Sequence, residues 1–341
     1  MPGPVSEQRT VEPRSAGALR QRRIPGPWPK DREFRILSLD GGGIRGIFTA
    51  TLLAELEEQF LPPGRRIYEC FDLITGTSTG GIIALGLSLG LPAREMARLY
   101  TERGLDIFPA PPTSRLALLR RKLRHFFHYR YERDGLQRVL EDVLGEHHLR
   151  DAKVPLCIPS CDGRYGEVYV FKTPHHPDFK KDGDELMVKV ALSTSAAPTY
   201  FQPLDSGGYR HLDGGLWANN PIMVGLTDAL SSFDVDRSQV RILSISCGDS
   251  PFIVTDDHVV KGGLLSWTNV INAAIHFQSL NAQGQASLLI GADKIQRVSP
   301  QCSEIELDDY AEAMKVLPSE GRRCANAYGR AIAETFLQVN E

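Results

Sequence analysis

Two glycine clusters constrain this chain more than anything else in it: Leu39-Asp40-Gly41-Gly42-Gly43-Ile44-Arg45-Gly46 and Gly76-Thr77-Ser78-Thr79-Gly80-Gly81. Each closes a short apolar run, Phe34-Arg35-Ile36-Leu37-Ser38-Leu39 in the first case and Phe71-Asp72-Leu73-Ile74-Thr75 in the second. Each also opens a stretch with the apolar spacing of a helix. Strand, glycine turn and helix, twice in succession, begin an α/β sheet with helices on both faces. The first turn offers a row of backbone N–H groups at a helix start, which is an anion site. The second puts a serine at the centre of Gly-x-Ser-x-Gly, the sharp turn that exposes a nucleophile. An oxyanion trap beside a serine elbow points to acyl transfer.

The 341 residues allow one large domain or two modest ones. Residues 1–33, rich in proline and arginine, read as a flexible tail. Residues 34–341 read as one domain, with a motif-bearing core over 34–248 and a helical C-terminal region over 249–341. Helical spacing is clear at 46–60, 80–89, from Pro92 to about Arg103, and at 267–289 and 308–339. Strand-like runs recur at 156–159, 167–171, 187–190, 209–212 and 241–246. The C-terminal helices serve either as a cap on the core or as a homo-oligomer surface.

A hydrophobic share of 42% with 24% charged residues is that of a soluble globular protein. A net charge of −3 removes any global attraction to nucleic acid, so no DNA partner is expected. The cysteines at 70, 157, 161, 247, 302 and 324 form no C-x-x-C pair, which points to reduced thiols and no metal site. The N-terminus lacks the apolar core of a secretory signal. The longest apolar stretch, 81–91, is far short of the ~18 residues a membrane span requires. A cytoplasmic protein that touches a membrane without crossing it is expected.

A free serine hydroxyl is a poor nucleophile and needs a base and a fixed, exposed position. The turn gives Ser78 the position, and the Thr79 N–H lies where it can help hold an oxyanion. Gly41, Gly43 and Gly46 also match the dinucleotide fingerprint Gly-x-Gly-x-x-Gly. That use requires an acidic residue at the end of a second strand about 20 residues on. Glu57 and Glu58 are nearest, but they fall inside the helical stretch, so the N–H groups of Gly42 and Gly43 are better read as an oxyanion hole. None of the nine histidines has a convincing catalytic context. His211, two residues from Asp213, is the best of them. Asp213-Gly214-Gly215 follows a strand, where an Asp-Gly pair is usually a hairpin turn. The residues alone leave both bases open.

Four ordered motifs carry a resemblance. Asp40 to Gly46, Gly76 to Gly80, the run Ser193-Thr194-Ser195-Ala196-Ala197-Pro198-Thr199-Tyr200-Phe201, and Asp213-Gly214-Gly215 resemble the patatin-like phospholipases over about residues 34–221. The resemblance implies a patatin-like fold, a central mostly parallel sheet flanked by helices. It implies a Ser–Asp dyad without histidine, Ser78 as nucleophile and Asp213 as base. Gly41, Gly42 and Gly43 would form the oxyanion hole, with Arg45 ordering the loop or adding positive potential. The implied activity is phospholipase A-type acyl hydrolysis of membrane phospholipid, with no metal or organic cofactor for the chemistry.

Compact bacterial relatives of this size look like the effectors of cyclic-oligonucleotide antiphage (CBASS) systems. That likeness implies a cyclic dinucleotide activator and peripheral work at the inner membrane. A patatin-like lipase of other physiology, without nucleotide control, and a non-catalytic lipid- or nucleotide-binding module are the alternatives.

Residues 115–133, RLALLRRKLRHFFHYRYER, hold seven Lys/Arg against one acid. They read as a solvated basic face, a membrane-docking helix, or an anion pocket in which arginines pair phosphates and aromatics stack bases. Arg120, Arg121, Lys122, Arg124, Tyr129 and Arg130 are the candidate ligand or membrane contacts.

Overall fold

β1 (Phe34–Leu39) buries large apolar side chains on both faces, and a strand covered on both sides belongs at the centre of a sheet. Phe34 and Ile36 join one apolar cluster, and Leu37 and Leu39 join another. This alternation separates two cores on either side of one sheet. The computed structural model describes residues 23–110, 114, 128–248, 253–254, 270–302 and 305–338.

The other strands are β2 (Leu73–Gly76), β3 (Leu156–Asp162), β4 (Glu167–Lys172), β5 (Leu204–Ser206), β6 (Tyr209–Asp213), β7 (Val240–Ile245) and β8 (Ile295–Val298). Their order is β5-β6-β3-β2-β1-β7-β8, with β4 also paired to β3. The run β3-β2-β1-β7-β8 is parallel, whereas β4, β5 and β6 pair antiparallel. On one face lie α1 (Gly46–Phe60), α2 (Thr79–Ser88), α3 (Ala93–Ile107), α4 (Asp134–Leu144), α5 (Met187–Thr194) and a long α9 (Tyr310–Phe336) packed along α1. The short α6 (Gly215–Ala218) follows β6, and α7 (Ile222–Ser232) and α8 (Val270–Ile290) cover the other face.

The expected mostly parallel sheet flanked by helices is therefore present, with three corrections. Residues 187–190 are the start of α5, not a strand. Met187, Val190, Ala191 and Thr194 are its buried face, at the i, i+3, i+4, i+7 spacing of a helix, and short apolar runs of this kind do not declare their period. The C-terminal region is not wholly helical, because β8 extends the sheet next to β7. The expected 1–33 tail is corrected over its last eleven residues. Residues 1–22 lie outside the described residues, while 23–33 pack on the domain. Gly26 exchanges backbone hydrogen bonds with Ser232 and Asp234 at 2.8 and 2.7 Å. The Trp28 ring sits 4.6 Å from that of Phe34 and 5.8 Å from that of Phe233.

Partial burial of an indole against two phenyl rings stabilises by about 1–3 kcal/mol. Trp28→Ala should therefore lower the urea midpoint of unfolding by a corresponding amount. A loose tail would leave the midpoint unchanged.

Candidate active site

Ser78 sits between β2 and α2 in a backbone conformation that side chains rarely adopt, φ 53° and ψ −119°. Such strain persists only when the surroundings hold it. Three contacts do so. The Ser78 N–H donates to Thr194 Oγ1 at 3.0 Å. The Thr77 N–H donates to the Leu39 carbonyl at 3.1 Å, and Thr77 Oγ1 donates to the Ala218 carbonyl at 2.5 Å. Gly80 lies against the carbonyls of Leu39 and Asp40, so a side chain there would collide with β1. The two glycine clusters are thus packed on each other, and Ser78 is left nearly buried in a cavity.

Asp213 closes β6 opposite Ser160 of β3. Its carboxylate accepts from the Gly215 N–H at 2.7 Å, and it lines the same cavity as Ser78, whose side chain lowers its carboxyl value. Burial pushes the carboxyl up to about 6, against the smaller lowering effect of the Gly215 N–H and the Ser78 side chain. The segment 193–201 explains itself here. Thr194 Oγ1 takes the Ser78 N–H and donates to the Pro159 carbonyl at 2.5 Å. The Ala196 carbonyl accepts the Asp213 N–H at 3.0 Å. One segment therefore braces both the serine turn and the aspartate.

The glycine run is anchored by its aspartate. Asp40 is buried, and the Arg297 guanidinium of β8 grips it with two parallel bonds, Nη1 to Oδ1 at 2.9 Å and Nη2 to Oδ2 at 2.5 Å. Arg297 also donates to Ser244 Oγ at 2.7 Å. Nothing in the sequence flags Arg297, because its strand reads as part of a helical region.

Of the three expected oxyanion donors, Gly41 is already used: its N–H donates to the Asn219 carbonyl at 3.0 Å. Gly42 and Gly43 line the cavity with Ser78, and their N–H groups have no acceptor among the described residues. Arg45 binds the Gly42 carbonyl at 3.3 Å and the Gly248 carbonyl at 2.8 Å. It orders the loop by tying it to the end of β7.

The cavity holds about 500 Å³. Ile82, Ile107, Phe108, Leu136, Phe201 and Ile275 give it apolar walls, and Ser78, Asp213, Gly42 and Gly43 its polar groups. An apolar chamber with a few polar groups at one place suits a long acyl chain with one ester. His211 is elsewhere: it packs in an aromatic cluster with Tyr169 and Phe171, 5.0 and 5.2 Å between ring centres, and does not line the cavity. His276 of α8 does line it, a contact that sequence reasoning missed.

Of the basic segment, Arg120, Arg121, Lys122 and Arg124 lie outside the described residues. Tyr129 is exposed, and Arg130 pairs with Asp308 at 2.8 Å.

Among the described residues, Cys157, His175 and Asp228 bring ligand-type atoms within 4.8 Å of one another. The group is a poor cation site. Lys172 and His175 already satisfy the Asp228 carboxylate. Burial would raise that carboxyl, but the bonds and charges of His175 and Lys172 outweigh it and hold it below the usual range. Burial also pushes the Cys157 thiol well up, away from the thiolate a metal needs.

The description of the patatin-like phospholipases matches residues 37–226, and the chain belongs to that family. Within it, the chain is similar to proteins named cGAMP-activated phospholipase. It is 39% identical over 222 residues to the one from Vibrio cholerae, covering 62% of each chain. It is 40% identical over 248 residues to the one from Escherichia coli, covering 69% of this chain and 67% of that one. It is 38% identical over 231 residues to the one from Pseudomonas aeruginosa, covering 67% and 65%. The matched part thus spans 62–67% of these relatives' lengths.

The Asp40–Arg297 pair gives a direct test of what holds the loop. Removing one partner of a buried pair strands the other charge and costs about 3–5 kcal/mol. Arg297→Met should lower unfolding stability by that order at pH 7. Adding Asp40→Asn should recover part of the loss in the same urea titration.

Proposed function

We propose that the protein hydrolyses acyl esters of membrane phospholipids through an acyl-Ser78 intermediate. One observation carries this: Ser78, on a strained turn, shares its cavity with a buried aspartate whose carboxyl is pushed up to about 6. At neutral pH Asp213 is ionised, yet it is a better base than an ordinary carboxylate near ~3.9.

Asp213 takes the Ser78 proton as Oγ attacks the ester carbonyl. The carbonyl oxygen becomes an oxyanion facing the Gly42 and Gly43 N–H groups, with the Thr79 N–H as a further donor. Collapse breaks the C–O bond to the glycerol, and the proton on Asp213 passes to the departing alkoxide. Water then repeats the sequence on the acyl-enzyme, giving a free fatty acid and restoring Ser78. No step needs a metal or an organic cofactor.

The finer reading concerns control. A phospholipase acting on its own cell's membrane needs restraint, and relatives at 38–40% identity are named as activated by cGAMP. We place this protein with them, as a cyclic-dinucleotide-activated antiphage effector that degrades host membrane phospholipids from the membrane surface. No helix among the described residues is long and apolar enough to cross a membrane, in keeping with peripheral contact.

Ser78→Ala and Asp213→Asn should each lower phospholipid hydrolysis by at least a hundredfold, whereas His211→Ala should retain activity if it folds. Wild-type kcat/KM should rise about tenfold per pH unit below pH 6 and level off above it, as Asp213 loses its proton. Full turnover by either dyad variant would sink the assignment.

The same carboxyl makes a stability prediction. Its folded value lies above its unfolded value near 3.8, so the folded state holds a proton that the unfolded chain releases between about pH 4 and 6. Stability therefore falls as pH rises through that window, by on the order of 3 kcal/mol for this group. Asp213→Asn should melt higher than wild type at pH 7, with a smaller gap at pH 4.

Lipid release measured against a panel of cyclic di- and trinucleotides tests the control. At least one should raise the rate tenfold or more, and equal rates throughout would remove the effector role.

A further inference from the structure

The turn Gly43-Ile44-Arg45 does not hold its own shape. Gly43 has φ +56°, and the place where its Cβ would stand is filled by the Leu307 carbonyl. That same carbonyl accepts the Ile44 N–H at 2.8 Å. The Leu307 backbone is therefore a wedge that sets where the turn lies, and with it the Gly43 N–H.

The next residue along is tied to a distant part of the chain. Asp308, with its side chain only 10% exposed, receives Arg130 Nη1 at 2.8 Å and the Tyr131 hydroxyl at 2.5 Å. Arg130 and Tyr131 in turn donate their N–H groups to the carbonyls of Thr199 and Tyr200, at 3.0 and 2.9 Å. Thr199 is, with Ser78, one of two non-glycine residues with positive φ among the described residues, at +72°, and both Thr199 and Tyr200 line the cavity. The Arg130 guanidinium lies 5.5 Å from the Tyr200 ring centre. Residues 130 and 131 thus strap together two walls of the cavity, one of which carries the wedge under the glycine turn.

We infer that Arg130 and Tyr131 clamp Asp308 so that the Leu307 carbonyl seats the Gly43–Arg45 turn, making Asp308 a positioning residue for the oxyanion donors. The inference rests on the role proposed above for Gly42 and Gly43. Asp308 does not line the cavity. It acts through one peptide bond and one hydrogen bond. A nearly buried carboxylate that loses both partners is driven to find water, and it would carry Leu307 with it. A displacement of about 1 Å in a catalytic group costs roughly a hundredfold in rate.

The experiment uses the full chain and a soluble short-chain 4-nitrophenyl ester, under the conditions that give wild type its highest rate. Each preparation is normalised by active-site titration, so that unfolded protein is not counted. Asp308→Ala and Asp308→Asn should lower kcat at least tenfold with KM within twofold of wild type. Labelling of Ser78 by a fluorophosphonate should slow in proportion, because the phosphonyl oxygen uses the same donors. The pH midpoint near 6 should not move, since Asp213 is untouched. Arg130→Ala combined with Asp308→Ala should be no slower than Asp308→Ala alone, because the two act as a unit.

If Asp308→Ala fails to fold, Tyr131→Phe and Arg130→Lys each weaken the clamp more gently, and each should lower kcat at least threefold. Ser78→Ala is measured alongside. An inactive Ser78→Ala with clamp variants within twofold of wild type kcat overturns the clamp alone. An active Ser78→Ala overturns the catalytic reading beneath it.

Discussion

Gly80 rests on the carbonyls of Leu39 and Asp40, where β1 ends, and most of the site follows from that contact. No side chain fits between the serine turn and the strand, so the two glycine clusters form one packed unit. The strain at Ser78 is sustained because Thr194, Ala218 and Leu39 take the polar groups of residues 77 and 78. A turn that could relax would let the hydroxyl rotate away from Asp213.

Three acidic side chains around this unit meet three different environments. Asp40 is gripped by Arg297, which neutralises it and holds the start of the loop. Asp308 is held by Arg130 and Tyr131, one residue from the wedge at Leu307. Among the described residues no cation pairs with Asp213; its carboxylate takes the Gly215 N–H, and its burial is the main reason for its high carboxyl value. The first two serve shape, and the third, in the role proposed for it, is kept basic at a cost in stability. A cation beside Asp213 would stabilise the fold and make it a weaker base.

Much of this was legible in the residues. Turns such as Gly76 to Gly81 must satisfy local backbone rules, and these rules show in sequence whatever the rest of the chain does. The parallel centre of the sheet showed for the same reason, as β1 and β2 are apolar runs closed by glycine turns. The period of 187–190 did not show, because a run of four residues with three apolar side chains fits a strand and a helix equally. Residues 23–33 looked like a tail because proline and arginine dominate them, yet Trp28 packs on Phe34 and Phe233 and backbone bonds from Gly26 help dock the segment. The helical character of the C-terminal region concealed β8 and Arg297 with it. Gly41 could not be told from Gly42 and Gly43, since only the position of the Asn219 carbonyl decides which N–H is already taken.

The sequence by itself determined the two turns, the serine between them and the family to which their spacing belongs, because each depends on neighbours a few residues away. Tertiary structure decided the rest. It brought Asp213 rather than His211 to Ser78, spent one glycine N–H and left two, and set Arg297 and Asp308 behind the loop. Those partners lie more than a hundred residues from what they hold, and only the packing of the sheet and its helices brings them within a hydrogen bond.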